Sequence, residues 1–222
     1  MCEEITNITE RYYLDLAAVF VRGRMADAPA LPPVEMVQLG LQAGLRLHKF
    51  KRTGELPRVR KVLGMLRGLA PRDLLDIGSG RGVFLWPLLD AFSWLPVIAL
   101  DRNQRRVDDL HAVARGGIAR LTAVAGDVCR LPFTEDSVDV VTILEVLEHL
   151  PQPARAVAEA VRVARRCIIV SVPSKEDDNP EHIHLFTRAS LQALLQEAGA
   201  RRVHFDGVLN HLLALAMVGP SC

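Results

Sequence analysis

The sequence predicts an α/β protein: a mostly parallel β-sheet with helices on both faces, preceded by a helical N-terminal segment. Three observations carry this. Short apolar runs recur from position 73 onward at roughly 25-residue intervals, with helical stretches between them, the alternation that builds a parallel sheet. The runs are continuously apolar rather than alternating, so both faces of each strand are covered. Several end on glycine or aspartate, as at Ile77-Gly78, Leu100-Asp101 and Gly126-Asp127.

Composition sets the frame. Of 222 residues, 50% are hydrophobic and 24% charged, a balance that buries a large core and excludes disorder as the main state. The length fits one generous domain, or one domain with an appendage. A net charge of +1 excludes a chain that is basic throughout. Cys2, Cys129, Cys167 and Cys222 form no CxxC pair and no metal-ligand spacing, so they read as reduced thiols of a cytoplasmic protein. The start Met1-Cys2-Glu3-Glu4 is acidic where a secretory leader is basic. Asp90, Pro96 and Gly219-Pro220 interrupt the most apolar stretches, which fall short of the ~20 apolar residues a membrane span requires.

Apolar spacing predicts helices over Tyr12 to Arg22 and Val34 to Leu47, separated by a proline-rich loop at 28–33, and a third from Pro57 to Leu69 with proline at its first position. Residues 1–56 are expected to form a helical lid or substrate-recognition segment on a domain spanning 57–222. Predicted strands are Asp73 to Ile77, Pro96 to Leu100, Leu121 to Ala125, Val138 to Leu144 and Cys167 to Val172. Helices are predicted at Phe84 to Phe92, Arg105 to Ala114, Pro153 to Arg166 and Arg188 to Ala198. Arg202 to Phe205 and Leu212 to Val218 are read as final strands. Charge is uneven: nine Lys/Arg lie between Arg46 and Arg72, against the single acid Glu55. This is a phosphate-binding surface for RNA, or the solvated faces of two helices, or, at Leu47 to Arg52, a contact for a cofactor carboxylate or an anionic substrate. Phe50 is the only aromatic residue among them to stack a base.

The run Leu74-Leu75-Asp76-Ile77-Gly78-Ser79-Gly80-Arg81-Gly82 carries the most chemistry. A strand running into alternate glycines lets the backbone approach a ligand at the carboxyl edge of a parallel sheet. The spacing is GxGxG rather than the dinucleotide GxGxxG, with Val83 where the third glycine would stand. Asp76, two residues before the first glycine, is unwelcome beside a pyrophosphate and well suited to an ammonium group. Asp101 ends the second strand, where a carboxylate can accept both ribose hydroxyls. Asp127 follows the third, placed for an adenine amine, with the Val128 amide beside it. A nucleoside with a cationic end and no phosphate satisfies all three, and S-adenosylmethionine is such a ligand.

These residues, with Cys129-Arg130-Leu131-Pro132-Phe133 and Ser137-Val138-Asp139-Val140-Val141, resemble the class I S-adenosylmethionine-dependent methyltransferases, type-11-like, from roughly Pro57 to the C-terminus. The resemblance implies a Rossmann-like, seven-stranded, mostly parallel sheet with a reversed final strand. It implies that Asp76, Gly78, Ser79, Gly80, Gly82, Asp101, Arg102, Asp127, Val128 and Glu145 hold the cofactor. It further implies that the N-terminal helices lid the pocket and help choose the acceptor.

Beyond the fourth strand lie Glu145, Glu148 and His149, spaced so that a helical turn would put all three on one face. With a later histidine they suit a divalent cation such as Mg2+ or Mn2+, which would orient an acceptor hydroxyl and lower its pKa. The pattern is similar to that of small-RNA 3′-terminal 2′-O-methyltransferases and quinone-biosynthesis O-methyltransferases. In the RNA enzymes the distal histidine stands four residues before an aromatic and six before an arginine; Phe186 and Arg188 match this, so the resemblance implies His182 rather than His184 as the fourth ligand. A metal-independent site, with Glu145 near the cofactor and His149 as a base, stays open at this level. So does a non-catalytic cofactor-binding subunit, and so does a nicotinamide oxidoreductase, for which Arg102 is the support. The acceptor expected is a hydroxyl, on RNA or on a small molecule.

Overall fold

The computed structural model describes residues 12–52, 56–176 and 178–219. Its sheet has seven strands in the order β3-β2-β1-β4-β5-β7-β6: β1 (Leu74–Ile77), β2 (Val97–Asp101), β3 (Leu121–Ala125), β4 (Val138–Leu144), β5 (Ala164–Pro173), β6 (Arg202–Val208) and β7 (His211–Met217). β1 to β5 are parallel, and β7 runs antiparallel between β5 and β6. The described helices are α1 (Leu14–Arg24), α2 (Pro33–Gln42), α3 (Pro57–Leu69), α4 (Leu85–Ala91), α5 (Gln104–Arg115), α6 (Pro153–Val163) and α7 (Arg188–Glu197).

The continuous apolar strands make two cores, one on each face, because successive side chains point opposite ways. Leu74, Val97, Ala99, Val140 and Ile169 face α1 to α5. Leu75, Ile77, Leu100, Val141, Ile143 and Val170 face α6 and α7. The N-terminal helices belong to the first of these cores: Phe20, Met36 and Phe50 lie in one cluster with Leu85 and Val113. α1 packs on α5 so closely that glycines form the crossing, discussed below. Because β1 pairs with β2 on one side and β4 on the other, chain order reverses at β1, and the glycine turn opens at the crevice this creates.

The structure corrects several boundaries. α2 ends at Gln42, not Leu47. Gly44 takes φ +77, the Leu45 amide reaches back to the Gly40 carbonyl and the Gly44 amide to that of Leu41, a Schellman closure that ends the helix although apolar spacing continues. Residues 48–50 form only a 3-10 turn. α6 stops at Val163, and Ala164 to Arg166 open β5 instead of closing the helix. Ala164 pairs with Val138, and Arg165 and Arg166 reach the buried Asp139 carboxylate at 3.7 and 2.9 Å. The sheet register and ion pairs override helix propensity. β6 runs on to Val208, and the hairpin to β7 turns at Asn210 with φ +64. Cys2 and Cys222 lie outside the described residues; Cys129 and Cys167 are free thiols, and burial pushes that of Cys167 up to about 11. Among the described residues no helix is long and apolar enough to cross a membrane.

Candidate active site

Two cavities meet at Gly78 along the carboxyl edge of the sheet. The larger, of about 910 Å3, is lined by Asp101, Arg102, Asp127, Val128 and His149 among others. The smaller, about 140 Å3, lies over Asp76, Ser79, Gly80, Leu144 and Glu145, with Arg58, Val59 and Val62 of α3 as its roof. An elongated ligand can lie along both with its ends in different electrostatic surroundings.

Asp76 sits in β1 between Ala99 and Thr142, 2% exposed. Thr142 Oγ1 donates to its Oδ1 at 2.8 Å, and the Ser79 hydroxyl donates to its backbone oxygen at 3.2 Å. Oδ2 is buried with no hydrogen-bond partner. Burial raises the carboxyl from 3.8 to about 6, the Ser79 and Thr142 hydroxyls opposing and the Asp101 charge adding. A buried carboxylate oxygen left without a donor is costly, and a ligand cation would relieve it.

All three turn glycines have positive φ. At Gly78 a Cβ would stand 2.5 Å from Val146 Cγ2, and at Gly82 it would strike the Trp86 ring at 2.1 Å. At Gly80 the nearest atom is 3.6 Å away, so a side chain there would stand in the cleft itself. That glycine leaves room for a ligand.

Asp101, 3% exposed, accepts from the Gly80 amide at 2.9 Å, the Asn103 amide at 2.8 Å and Arg106 Nη1 at 3.3 Å. It holds the glycine turn in place and keeps lone-pair capacity for a ribose hydroxyl. Asp127 is exposed on the larger cavity and accepts from the Cys129 amide at 2.9 Å; Val128 is buried beside it. Arg102 lies exposed on the same wall.

The acidic cluster after β4 splits. Glu145 has φ +56, a left-handed conformation that costs a non-glycine residue of order 1–3 kcal/mol and persists only where neighbours impose it. They do: Ser171 Oγ donates to Glu145 Oε1 at 2.6 Å, His211 Nε2 lies 3.1 Å from Oε2, and Arg58 Nε 3.8 Å away. This turns the chain sharply, so Glu145 faces the smaller cavity while Glu148 and His149 continue into a separate 3-10 turn, Leu147–His149. The one-face helical arrangement of Glu145, Glu148 and His149 does not form. Glu148, His149 and His182 instead bring one donor atom each within 4.8 Å of one another, and Glu145 is outside the group. His149 Nδ1 lies 3.0 Å from the Glu181 carbonyl, which only accepts, so that nitrogen donates, and Nε2 lies 3.9 Å from Glu148 Oε1. The rings of His149 and His182 pack edge to face at 4.8 Å. His184 is not in the group.

Ser171 and His211 went unnoticed in sequence, and Arg58 was only one charge in a basic run. No motif marks His211. It reaches the site because β7 is antiparallel to β5, which brings the start of β7 to the carboxyl edge opposite Pro173.

Residues 75–167 match the methyltransferase-domain family. A solved S-adenosylmethionine-dependent methyltransferase from Aquifex aeolicus superimposes with a TM-score of 0.61 at 22% identity, over 74% of this chain and 91% of that one, a likeness of fold. Residues 75–167 thus carry a methyltransferase domain. Among relatives, a probable S-adenosylmethionine-dependent methyltransferase of Mycolicibacterium smegmatis is 34% identical over 59% of this chain and 52% of its own length. A ubiquinone/menaquinone biosynthesis C-methyltransferase of Paracoccus denitrificans is 34% identical over 51% and 47%. A ubiquinone biosynthesis O-methyltransferase of Cupriavidus pinatubonensis is 32% identical over 45% and 40%. The chain thus spans about half the length of the curated relatives it matches, or less.

Proposed function

We propose that this methyltransferase transfers the methyl group of S-adenosylmethionine to a hydroxyl oxygen of its acceptor. The observation that carries the cofactor assignment is Asp76 Oδ2, a buried carboxylate oxygen without a donor on the wall of the smaller cavity. Asp76 would receive the ligand's ammonium group, Gly80 would admit its backbone, Asp101 would accept from the ribose, and Asp127 with Val128 would flank the adenine in the larger cavity. The cofactor supplies a methyl group activated by its sulfonium. The chain's residues position the acceptor, exclude water and take up the proton.

Relatives carry both C- and O-methyltransferase names, so the acceptor atom is argued from the donor set. Glu148, His149 and His182 offer one carboxylate and two imidazoles, a set suited to Mn2+ more than to the oxygen-seeking Mg2+, and such an ion would hold an acceptor hydroxyl and lower its pKa. Mn2+ titrated into the purified protein should bind once per chain. Glu148→Gln and His182→Ala should each weaken it by at least the roughly 10–100-fold that outer-shell changes cost. Unchanged Mn2+ affinity in both variants would remove the metal from this reading.

The raised Asp76 carboxyl fixes a pH dependence. A proton and the ligand's ammonium compete for the same oxygen, so affinity is full above about pH 7 and falls as Asp76 protonates near 6. The slope below that point should be about tenfold per pH unit. Calorimetric titration of S-adenosylhomocysteine from pH 4.5 to 8, limits chosen to bracket this value, checks it. A flat profile would mean that Asp76 does not meet the cation.

A further inference from the structure

Beside the glycine turn lies a third cavity, about 200 Å3, that the methyltransferase reading leaves unused. Arg46, His48, Lys49, Arg81 and Arg106 all line it, with Asp109 as its acid. They come from three separate stretches of chain: the 3-10 turn region, the glycine turn and α5. Asp109 is already engaged by Arg24 at 2.6 Å and by Lys49. Arg106 is engaged by Asp101 at 3.3 Å. Among the described residues, Arg46, His48 and Arg81 have no acidic partner.

The base of this cavity is rigid. Phe20, Phe50 and Trp86 form a chain of ring contacts at 5.1 and 4.8 Å, and Trp86 Nε1 donates to the Arg81 carbonyl at 2.9 Å. Lys49 Nζ sits 4.6 Å over the Phe20 ring. The rings tie the turn carrying His48 and Lys49 to the glycine turn, so packed structure sets the backbone from which the exposed Arg46, His48 and Arg81 side chains reach the cavity. Convergent like charges without counter-charge repel, and a bound anion removes that cost.

We propose that this cavity binds a phosphoryl or diphosphoryl group of the acceptor. Two guanidinium groups and an imidazole without acidic partners suit a doubly charged tetrahedral oxyanion. The cavity shares Gly80 and Arg81 with the smaller cavity and Arg106 with the larger, which puts the anion next to the methyl-transfer site. Nucleic acid is the poorer fit: Phe50 and Trp86 are buried, at 0% and 3% exposure, and offer no face for a base to stack on. That the anion belongs to an acceptor rests on the methyltransferase reading; the binding itself does not.

The test is calorimetric titration of pyrophosphate into protein saturated with S-adenosylhomocysteine, at low and high salt. Pyrophosphate should bind, more weakly as salt rises. Arg46→Glu should weaken it by at least about tenfold, and Arg46→Lys by much less. Arg201→Glu alters net charge as much as Arg46→Glu does, from the opposite edge of the sheet beyond the start of β6, and should leave binding unchanged. S-adenosylhomocysteine affinity, titrated separately, should be the same in all three variants. Absence of pyrophosphate binding, or an equal loss in Arg201→Glu, overturns the proposal. So does a single-stranded oligoribonucleotide that binds more tightly than pyrophosphate and loses affinity in Arg46→Glu, which would make the face a nucleic-acid surface. Failure of S-adenosylhomocysteine to bind the wild type would sink the methyltransferase reading alone, because pyrophosphate binding is measurable without it.

Discussion

Asp76→Asn should weaken cofactor binding severely while leaving the fold intact. The substitution keeps the shape, and the asparagine oxygen can still accept from Thr142, now 2.8 Å from Oδ1. What it removes is the charge. A ligand ammonium in a buried site then faces an amide instead of a carboxylate, and truncating one partner of a buried ion pair costs about 3–5 kcal/mol. S-adenosylhomocysteine should bind at least roughly 100-fold more weakly. Stability should move the other way. Burial holds the Asp76 carboxyl at about 6 against 3.8, so the folded protein is penalised for ionising it, and at pH 7 that penalty is fully present. The ligand-free variant should therefore melt no lower than the wild type, a trade of stability for binding expected of a functional group. Affinity within threefold of wild type would sink the cradle assignment.

Gly23→Ala should destabilise strongly, against the rule for helices. Alanine is the better helix former by about 1 kcal/mol, and Gly23 lies inside α1. Its Cβ, however, would stand 1.8 Å from the Ala112 carbonyl oxygen of α5, and in return a Cβ on Gly116 would stand 1.7 Å from the Val19 oxygen of α1. Both obstructions are backbone, which cannot rotate aside. The helices must part, loosening Phe20 and Val21 from Ala112 and Val113, all in one core. Overpacking of this kind costs on the order of 3 kcal/mol or more, which for a chain of this length lowers Tm by roughly 6–12 °C. Gly64→Ala is the internal control. Gly64 lies in α3 with nothing within 4 Å of its Cβ position, so the same exchange there should be neutral or raise Tm. Thermal unfolding followed by circular dichroism separates the two, and equal melting of both variants would show that α1 and α5 do not pack backbone to backbone.

The same contrast explains what was readable in advance. β3 and β4 were legible to the residue, because each is an apolar run stopped by turn residues close by in sequence. The end of α6 was not: Val163-Ala164-Arg165-Arg166 continues a good helix and contains no stop signal. Strand pairing with Val138 and the buried Asp139 carboxylate decide that end, and both lie some 25 residues away in the chain. The close approach of Gly23 and Gly116 is likewise invisible, since Gly116 reads as an ordinary helix C-cap and Gly23 as a weak position inside its helix.

The candidate site divides along the same line. Asp76, Gly78, Gly80 and Asp101 were legible because a strand, its turn and the acid on the adjacent strand are tied by the regular geometry of a parallel sheet. Glu145, Glu148 and His149 were expected on one helical face, and the structure separates Glu145 from the other two. Helical spacing assumed a continuous turn, and the left-handed backbone at Glu145 breaks it. That conformation is held by Ser171, His211 and Arg58, from three other elements.

The amino-acid order alone thus settled the architecture and the acid-lined crevice, whose chemistry is written in a few short stretches. Folding decided the rest: that Glu145 joins His211, that Glu148 and His149 meet His182, and that charges from three separate stretches crowd one hollow. Those meetings depend on which strands become neighbours and where each turn bends, and no side chain records that beforehand.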